Sequence, residues 1–251
     1  MQRLRVIDTD LAHPFRTGAL DEAILRTRAR DETPDTLHFY RREPPGVSLG
    51  YFGKAGNEVD LDYCKGNGIS LLRRLSGGSA IYTDRNQLVY AFASKGALPT
   101  SPNAAYAVVC GALVFAFERL GVEAEFKPVN DVQHIGKKLS GSALTRRWGA
   151  HLVHGTVLVA VDREKMFRAL RVDAGKVRSK NLPEPGARVT SLAEILGKAP
   201  AMESVKAAVV AGFEEQFGMK AALGKLAPHE KELADRLVAE KYGTDEWNLK
   251  R

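Results

Sequence analysis

The chain has 251 residues, 44% hydrophobic and 27% charged, a balance that suits a soluble globular protein with one sizeable core or two small ones. Its 37 Lys and Arg against 30 Asp and Glu leave a net charge of +7, which fits an anionic small substrate, an acidic protein or nucleic acid and does not choose among them. No apolar run is long enough to span a bilayer, residues 1–15 lack the apolar core of a signal peptide, and Cys64 and Cys110 form no CxxC pair, which fits a reducing cytosol and no disulfide framework.

In chain order, residues 4–8 read as a short strand. Residues 17–30 read as a helix, with Thr17 as its cap, Asp21 and Glu22 in its first turn, and Ala19, Ala23, Ile24 and Thr27 on one face. Residues 36–41 and 46–52 read as strands separated by Pro44 and Pro45, and residues 59–67 as a short helix stopped by Gly66 and Gly68. The stretch 71–92, LLRRLSGGSAIYTDRNQLVYAF, follows as strand, tight turn and strand. A helical period through Ala105, Val108, Val109, Ala112, Leu113, Ala116 and Leu120 stops at Gly121 and takes in Cys110 as a small core residue. Residues 126–162 read as strand, turn at Gly136, strand, loop and a strong strand over 155–161. Helices are expected over 163–170, 189–196, 203–217 and 229–241, and residues 172–188, rich in Lys, Pro and Gly, read as a mobile or ligand-ordered connection. Strands dominate residues 1–162 and helices residues 163–251, so the expected fold class is α+β or mixed α/β.

Two stretches carry chemistry. Gly77 and Gly78 allow positive φ and close approach of a ligand, and consecutive N–H groups in such a turn form an anion-binding concavity. Arg73 and Arg74 place two cations at its entrance, with Ser76 and Ser79 as hydroxyl donors, so the loop suits a nucleotide phosphate. A plain Gly-Gly turn with solvated arginines explains the same residues equally well. In Lys137-Lys138-Leu139-Ser140-Gly141-Ser142-Ala143 an ammonium lies among small residues, where it can stabilise charge developing between a carboxylate and a phosphate; as a bare dipeptide, KK reads as a solvated hairpin. His151 and His154 fall on opposite faces of a strand with no cysteine or acidic cluster beside them, which argues against zinc, and the lack of a GxSxG elbow argues against a Ser–His–Asp triad.

Read together, SLGYF, EVDLDYCKGNGISLLRR, RRLSGGSAIYTD, NDV, KKLSGSA, HGTVLV and EKYGTDEWN occur in an order that resembles the lipoate–protein ligase family, whose fold is related to that of the biotin protein ligases. The resemblance implies a biotin–lipoate ligase-like catalytic domain with mainly antiparallel mixed sheets and surrounding helices. It also implies ATP- and Mg²⁺-dependent activation of lipoate or octanoate to an acyl-adenylate, followed by transfer to a lysine of a lipoyl-acceptor protein in the cytoplasm. By the same resemblance, Arg74 binds the adenylate, Ser76, Gly77 and Gly78 form its loop, and Ser79, Ala80, Ile81 and Tyr82 wrap the nucleotide. Lys138 matches the catalytic lysine, with Ser140 and Gly141 beside it. Asn130 and Asp131 match the pair near the phosphates, Asp131 as a metal ligand, and His154 and Gly155 match an HG pair lining the site. The sequence departs from the family pattern at Ser79, in place of a third glycine, at Thr83, in place of histidine, and at Arg85-Asn86-Gln87, in place of Leu-Gly-Asn. Relatives continue past the DEWN segment or recruit a small accessory-domain protein, so by the resemblance that part is missing here, supplied by a separate accessory-domain partner, or not needed; neither nucleic acid nor membrane is expected as a partner.

Two rival readings remain. One is an acyltransferase of the same fold that moves octanoate from a carrier protein without ATP. Relatives of that kind use a cysteine just before the KxxG motif, and this chain has no cysteine after Cys110, which counts against it. The other is a non-catalytic binding module resting on the charge of +7, for which no reading motif or aromatic platform is present.

Overall fold

The computed structural model describes residues 3–171 and 188–251. Its strands are β1 (Arg3–Ala12), β2 (Thr36–Arg42), β3 (Gly46–Leu49), β4 (Ser70–Arg73), β5 (Ile81–Thr83), β6 (Leu88–Ser94), β7 (Glu125–Lys127), β8 (Asp131–His134), β9 (Lys137–Arg147), β10 (Ala150–Val157) and β11 (Lys220–Leu223). They form an eight-stranded sheet in the order β11-β1-β2-β6-β10-β9-β8-β7 and a three-stranded sheet in the order β4-β3-β5. The helices are α1 (Pro14–Ala29), α2 (Ala55–Glu58), α3 (Leu61–Gly66), α4 (Pro102–Arg119), α5 (Arg163–Ala169), α6 (Leu192–Leu196), α7 (Met202–Phe217), α8 (Pro228–Leu237) and α9 (Asp245–Asn248). This is the mixed α/β class expected from the sequence.

The large sheet is covered on both faces, which is why β6 and β10 are buried along their whole length instead of alternating. On one face α4 and α7 pack through Val109, Leu113, Phe117, Val209 and Phe213, with Phe92 of β6 wedged 5.2 Å from Phe213. On the other, Ile24 and Leu25 of α1 meet Tyr40, Val89 and Leu152. The outer side of α1, at Ala19, Leu20 and Ala23, is covered in turn by Leu233, Ala234 and Leu237 of α8. Helix α1 thus lies between the sheet and α8.

Several expectations change. Helix α1 starts at Pro14, capped by the His13 ring, which accepts from the Phe15 N–H at 3.3 Å. Thr17 lies a turn inside it, and Asp21 and Glu22 are buried instead of lining a first turn. The stretch 71–92 is not a hairpin. Strand β4 pairs with β3 in parallel and β5 pairs with β3 antiparallel, so residues 74–80 cross the end of β3. That crossing ends β3 at Leu49, because a Cβ on Gly50 would lie 1.8 Å from the Gly78 carbonyl oxygen. Lys138 lies on a strand, β9, and β10 begins at Ala150 after a tight turn in which Trp148 and Gly149 both take positive φ, the geometry of a two-residue hairpin. The short strand β11, paired in parallel to β1, has no counterpart in the sequence reading. The proposed ligand-ordered connection over 172–188 lies, except for Arg188, outside the described residues.

Candidate active site

One row of the large sheet sets the floor of the site. Tyr40 on β2 pairs with Val89 on β6, Val89 with Thr156 on β10, and Thr156 with Gly141 on β9. Residues directly opposite one another share a face, so these four side-chain positions point the same way across three strand spacings, about 14 Å in all. All four line a cavity of about 530 Å³, roofed by Ser48 of β3, Ile81 of β5 and the loop of Gly77, Gly78, Ser79 and Ala80.

At the β9 end stands Lys138. Its ammonium is 2.6 Å from Asp131, and both side chains remain partly open to solvent. It reaches inward by lying over Gly141, where a Cβ would come within 2.4 Å of the lysine Cε and Nζ. The glycine is therefore a seat for the lysine. Gly141→Ala should displace the flexible lysine end instead of the backbone, lowering activity by at least about tenfold with a nearly unchanged melting temperature. A kinetic assay paired with a thermal melt checks this. Asn130 braces the same end, its amide donating to the Ser142 carbonyl at 2.5 Å. Gly155 permits close contact: a Cβ there would lie 2.6 Å from both the Gly141 carbonyl and the Tyr90 hydroxyl.

The arginine pair does something other than the sequence reading expects. Arg73 and Arg74 are both buried. Arg74 donates to the carbonyls of Ser48 (2.6 Å), Gly77 (2.7 Å) and Ser79 (2.9 Å) and to Ser76 Oγ (3.1 Å), so it shapes the glycine loop from within. Burial pushes its pKa down to about 10. Arg73 donates to the carbonyls of Gly50, Tyr51, Gly53, Trp247 and Asn248 and does not line the cavity. These donors hold the fold and do not form an open phosphate clamp. Gly78, with φ of +94°, is the one glycine of the pair that needs its left-handed freedom; a Cβ there would also sit 2.8 Å from Arg74 Nη2.

Behind His154 lies a buried polar chain that sequence reading did not find. Asp21 Oδ2 accepts from His154 Nδ1 at 2.9 Å and from the Tyr40 hydroxyl at 3.0 Å, while its Oδ1 faces His38 Nδ1 at 3.3 Å. The other nitrogen of His154 is 2.6 Å from Ser76 Oγ. The constellation has the members of a Ser–His–Asp triad, contrary to the sequence reading, yet Ser76 is buried, accepts from Arg74 and lies off the cavity wall. It therefore acts as a brace between helix α1 and the glycine loop. Burial raises the Asp21 pKa, but the hydrogen bonds from His154 and His38 outweigh it and hold the carboxyl down at about 2, against an ordinary 3.8. Its stabilisation is accordingly complete above pH ~4 and lost as the pH falls toward 2. Asp21→Asn should flatten that part of an acid-unfolding curve.

Of the residues singled out from sequence, Arg74, Gly77, Gly78, Ser79, Ala80, Ile81, Asn130, Asp131, Lys138, Gly141, His154 and Gly155 line the cavity. Ser76, Tyr82 and Ser140 do not: Ser76 is turned to His154, Tyr82 donates to Asp84, and Ser140 faces away from Gly141 on β9. Tyr40, Arg42, Ser48 and Tyr106 were missed. Among the described residues no three His, Cys, Asp or Glu side chains converge on a metal position, and Asp131 is already paired with Lys138. Both loop arginines are committed to carbonyls. Both thiols are buried, and burial pushes Cys64 up to about 11 and Cys110 up to about 12; Cys110 reaches only Ser142 Oγ, at 3.9 Å.

The comparisons with known proteins correct the expected activity. The sequence is 32% identical over 100% of both chains to an octanoyltransferase of Kyrpidia tusciae, and 31% identical over 98% of both to one from Symbiobacterium thermophilum. These names overturn the reading as an ATP-dependent, acyl-adenylate-forming ligase. The motifs that suggested it describe a site common to both activities, so they could not tell them apart. In fold, the chain superposes on a bipartite lipoate protein ligase from Thermoplasma acidophilum with a TM-score of 0.86, at 32% identity over 99% of this chain and 96% of that one. An Aquifex aeolicus biotin protein ligase, 16% identical with a TM-score of 0.50, shares the fold alone. Among the described residues no helix is long and apolar enough to cross a membrane. The sequence model described as the lipoyl protein ligase A/B catalytic domain matches residues 13–214, and the chain belongs to that family.

Proposed function

We propose that the chain transfers a medium-chain acyl group, such as octanoyl, from a carrier thioester to the ε-amine of a lysine on a lipoyl-acceptor domain, without nucleotide. The observation that carries this reading is Lys138: an ammonium seated over Gly141 at the partly open end of the cavity, beside a carboxylate. The full-length octanoyltransferase relatives support it.

In this reading the acyl chain lies along the Tyr40–Val89–Thr156–Gly141 row with its thioester carbonyl at Lys138. The acceptor amine attacks the carbonyl carbon, the C–N bond forms, and the oxygen becomes an oxyanion held by the lysine ammonium. The C–S bond then breaks. The thiolate leaves with the proton that the amine gives up, which Asp131, 2.6 Å from Lys138, is placed to relay. Such a site excludes water so that the amine, not hydroxide, receives the acyl group. The accessory-domain partner and Mg²⁺ of the ligase reading have no part in this route. We place the reaction in the cytoplasm, where thiols stay reduced.

No cysteine need carry the acyl group. Cys64→Ser and Cys110→Ser should each keep near-full transfer, since neither thiol is exposed and burial disfavours both thiolates. An acyl thioester trapped on either residue by mass spectrometry would reverse this step. The function itself is tested by mixing the purified chain with an octanoyl carrier protein and an acceptor domain and weighing the acceptor. Gain of one octanoyl group at the acceptor lysine supports the reading; an acceptor that stays unmodified unless free acid and ATP are added refutes it.

A further inference from the structure

The floor of the cavity ends on an aromatic ring that is held at its tip and on its flanks. Tyr40 is the last position of the row Gly141–Thr156–Val89–Tyr40 and lines the cavity, yet is only 1% exposed. Its hydroxyl donates to Asp21 Oδ2 at 3.0 Å. That carboxylate is fixed in turn by His154 and His38, whose hydrogen bonds keep it charged. Burial and the same carboxylate push the Tyr40 phenol up, so it remains a donor. The His38 ring lies 5.0 Å from the Tyr40 ring, centroid to centroid, and the Arg42 guanidinium lies 5.6 Å from the Tyr40 centroid. Arg42 is itself tied down, donating to Thr17 at 3.2 Å and to Thr83 at 2.8 Å. The buried brace around Asp21 thus fixes the end of the cavity as well as the glycine loop.

The positions along the row set a length. Lys138 lies over Gly141, so a thioester carbonyl held by its ammonium starts there. Thr156 is one strand spacing on, Val89 two and Tyr40 three, at about 4.8 Å each. With C–C bonds of about 1.5 Å in an extended zigzag, eight carbons span about 9 Å. The eighth carbon therefore falls over Val89, and the next wall is the Tyr40 ring. A longer chain would have to displace that ring and take a hydrogen bond from a buried carboxylate, which is costly to leave short of a donor. A shorter chain would leave a void against Val89 and Tyr40 and forfeit the contacts there.

We propose that Tyr40 is the end stop that sets the acyl chain at eight carbons, with Asp21 as the positioning residue that latches it. This rests on the acyl-transfer reading of the same cavity and names how that site chooses among saturated chains. Tyr40 is a specificity-determining residue: it meets only the methyl end and takes no part at the carbonyl. One methylene too many or too few in an apolar pocket changes discrimination by about 10- to 200-fold, so a fixed wall gives a chain-length profile with one maximum.

The test is a competition. Hexanoyl, octanoyl, decanoyl and dodecanoyl thioesters on the same carrier protein are offered pairwise, in equal amounts, to one acceptor domain, and the products are separated by mass. The wild-type chain should favour octanoyl over dodecanoyl by roughly tenfold or more. Tyr40→Leu should move the maximum to ten carbons or beyond. Val89→Phe, which fills the cavity one strand earlier and leaves the bond to Asp21 alone, should move it to six. Tyr40→Phe keeps the ring and removes only that bond, so it should raise decanoyl relative to octanoyl; an unchanged profile would remove Asp21 as the latch. A wild-type profile that is flat from eight to twelve carbons overturns the proposal whether or not any variant folds, and so does a folded Tyr40→Leu whose maximum stays at eight. If no chain length is transferred, the acyl-transfer reading has failed, and the stop is judged by calorimetry on the free acids. Octanoate should then bind the wild type more tightly than dodecanoate, with the order reversed in Tyr40→Leu; the same order in both would remove the stop.

Discussion

Lys138→Ala is expected to lower acyl transfer by about a hundredfold or more while leaving the protein folded. The rate effect follows from its place. The ammonium lies where the cavity is both lined by small residues and open enough to admit a second substrate, and removing a donor from an oxyanion site typically costs roughly 10²–10³ in rate. The stability effect is small because the ion pair with Asp131 is partly solvated, and such pairs contribute about 1 kcal/mol or less. Lys137 is exposed on the same strand, one residue away and on the other face, so Lys137→Ala should be mild. Rates and thermal melts for the two variants side by side check both statements. An active Lys138→Ala with an inactive Lys137→Ala would show that the wrong lysine has been placed in the site.

Arg73→Ala is expected to have the largest effect on stability of any single change near the site. The side chain is fully enclosed and donates to five backbone carbonyls, at 2.7 Å to Gly53, 3.0 Å to Gly50 and Asn248, and 3.2 Å to Tyr51 and Trp247. These acceptors belong to the segment after β3 and to α9, so one guanidinium ties the chain's last helix to the loop beside the cavity. Truncation leaves buried acceptors unpaired and a cavity behind, together about 3–5 kcal/mol. For a chain of this size that corresponds to a fall of roughly 10 °C in melting temperature. Arg73→Lys should recover only part of the loss, because an ammonium has three donors and no planar fork. A melt within 2 °C or so of wild type for Arg73→Ala would contradict this role.

The contrast between the two neighbouring arginines shows what the sequence could and could not convey. Short runs of small residues, such as Gly77-Gly78 and Gly141, are legible because absent Cβ atoms have few uses, and they led to the loop and to Lys138. Arg73 and Arg74 were legible as charges but not as donors to carbonyls, since acceptors such as Gly53 and Trp247 are far apart in the chain and belong to no motif. Asp21 was hidden for a related reason. Helix α1 is buried on two sides, against the sheet and against α8, so a carboxylate inside it looked like a first-turn residue on a solvated helix. Arg42 ended a strand next to Arg41 and gave no sign of which of the two turned inward. The fold class survived these errors because the helical period of α4 and the continuous apolar run of β6 are strong. The topology around β3 did not, because two strands that flank a third look the same in sequence as two strands of a hairpin. The type of acyl activation was not legible either: a lysine that stabilises an oxyanion serves a thioester as well as an adenylate.

Direct, nucleotide-free transfer at Lys138 is tested most sharply by a single-turnover experiment. Carrier protein bearing a labelled octanoyl thioester is mixed with excess enzyme, an acceptor domain, and apyrase to remove all nucleotide. Label should pass from carrier to acceptor lysine at a rate set by Lys138, with no labelled enzyme at any time point. Label that stays on the carrier without nucleotide, but reaches the acceptor from free octanoate and ATP with release of pyrophosphate, would contradict direct transfer.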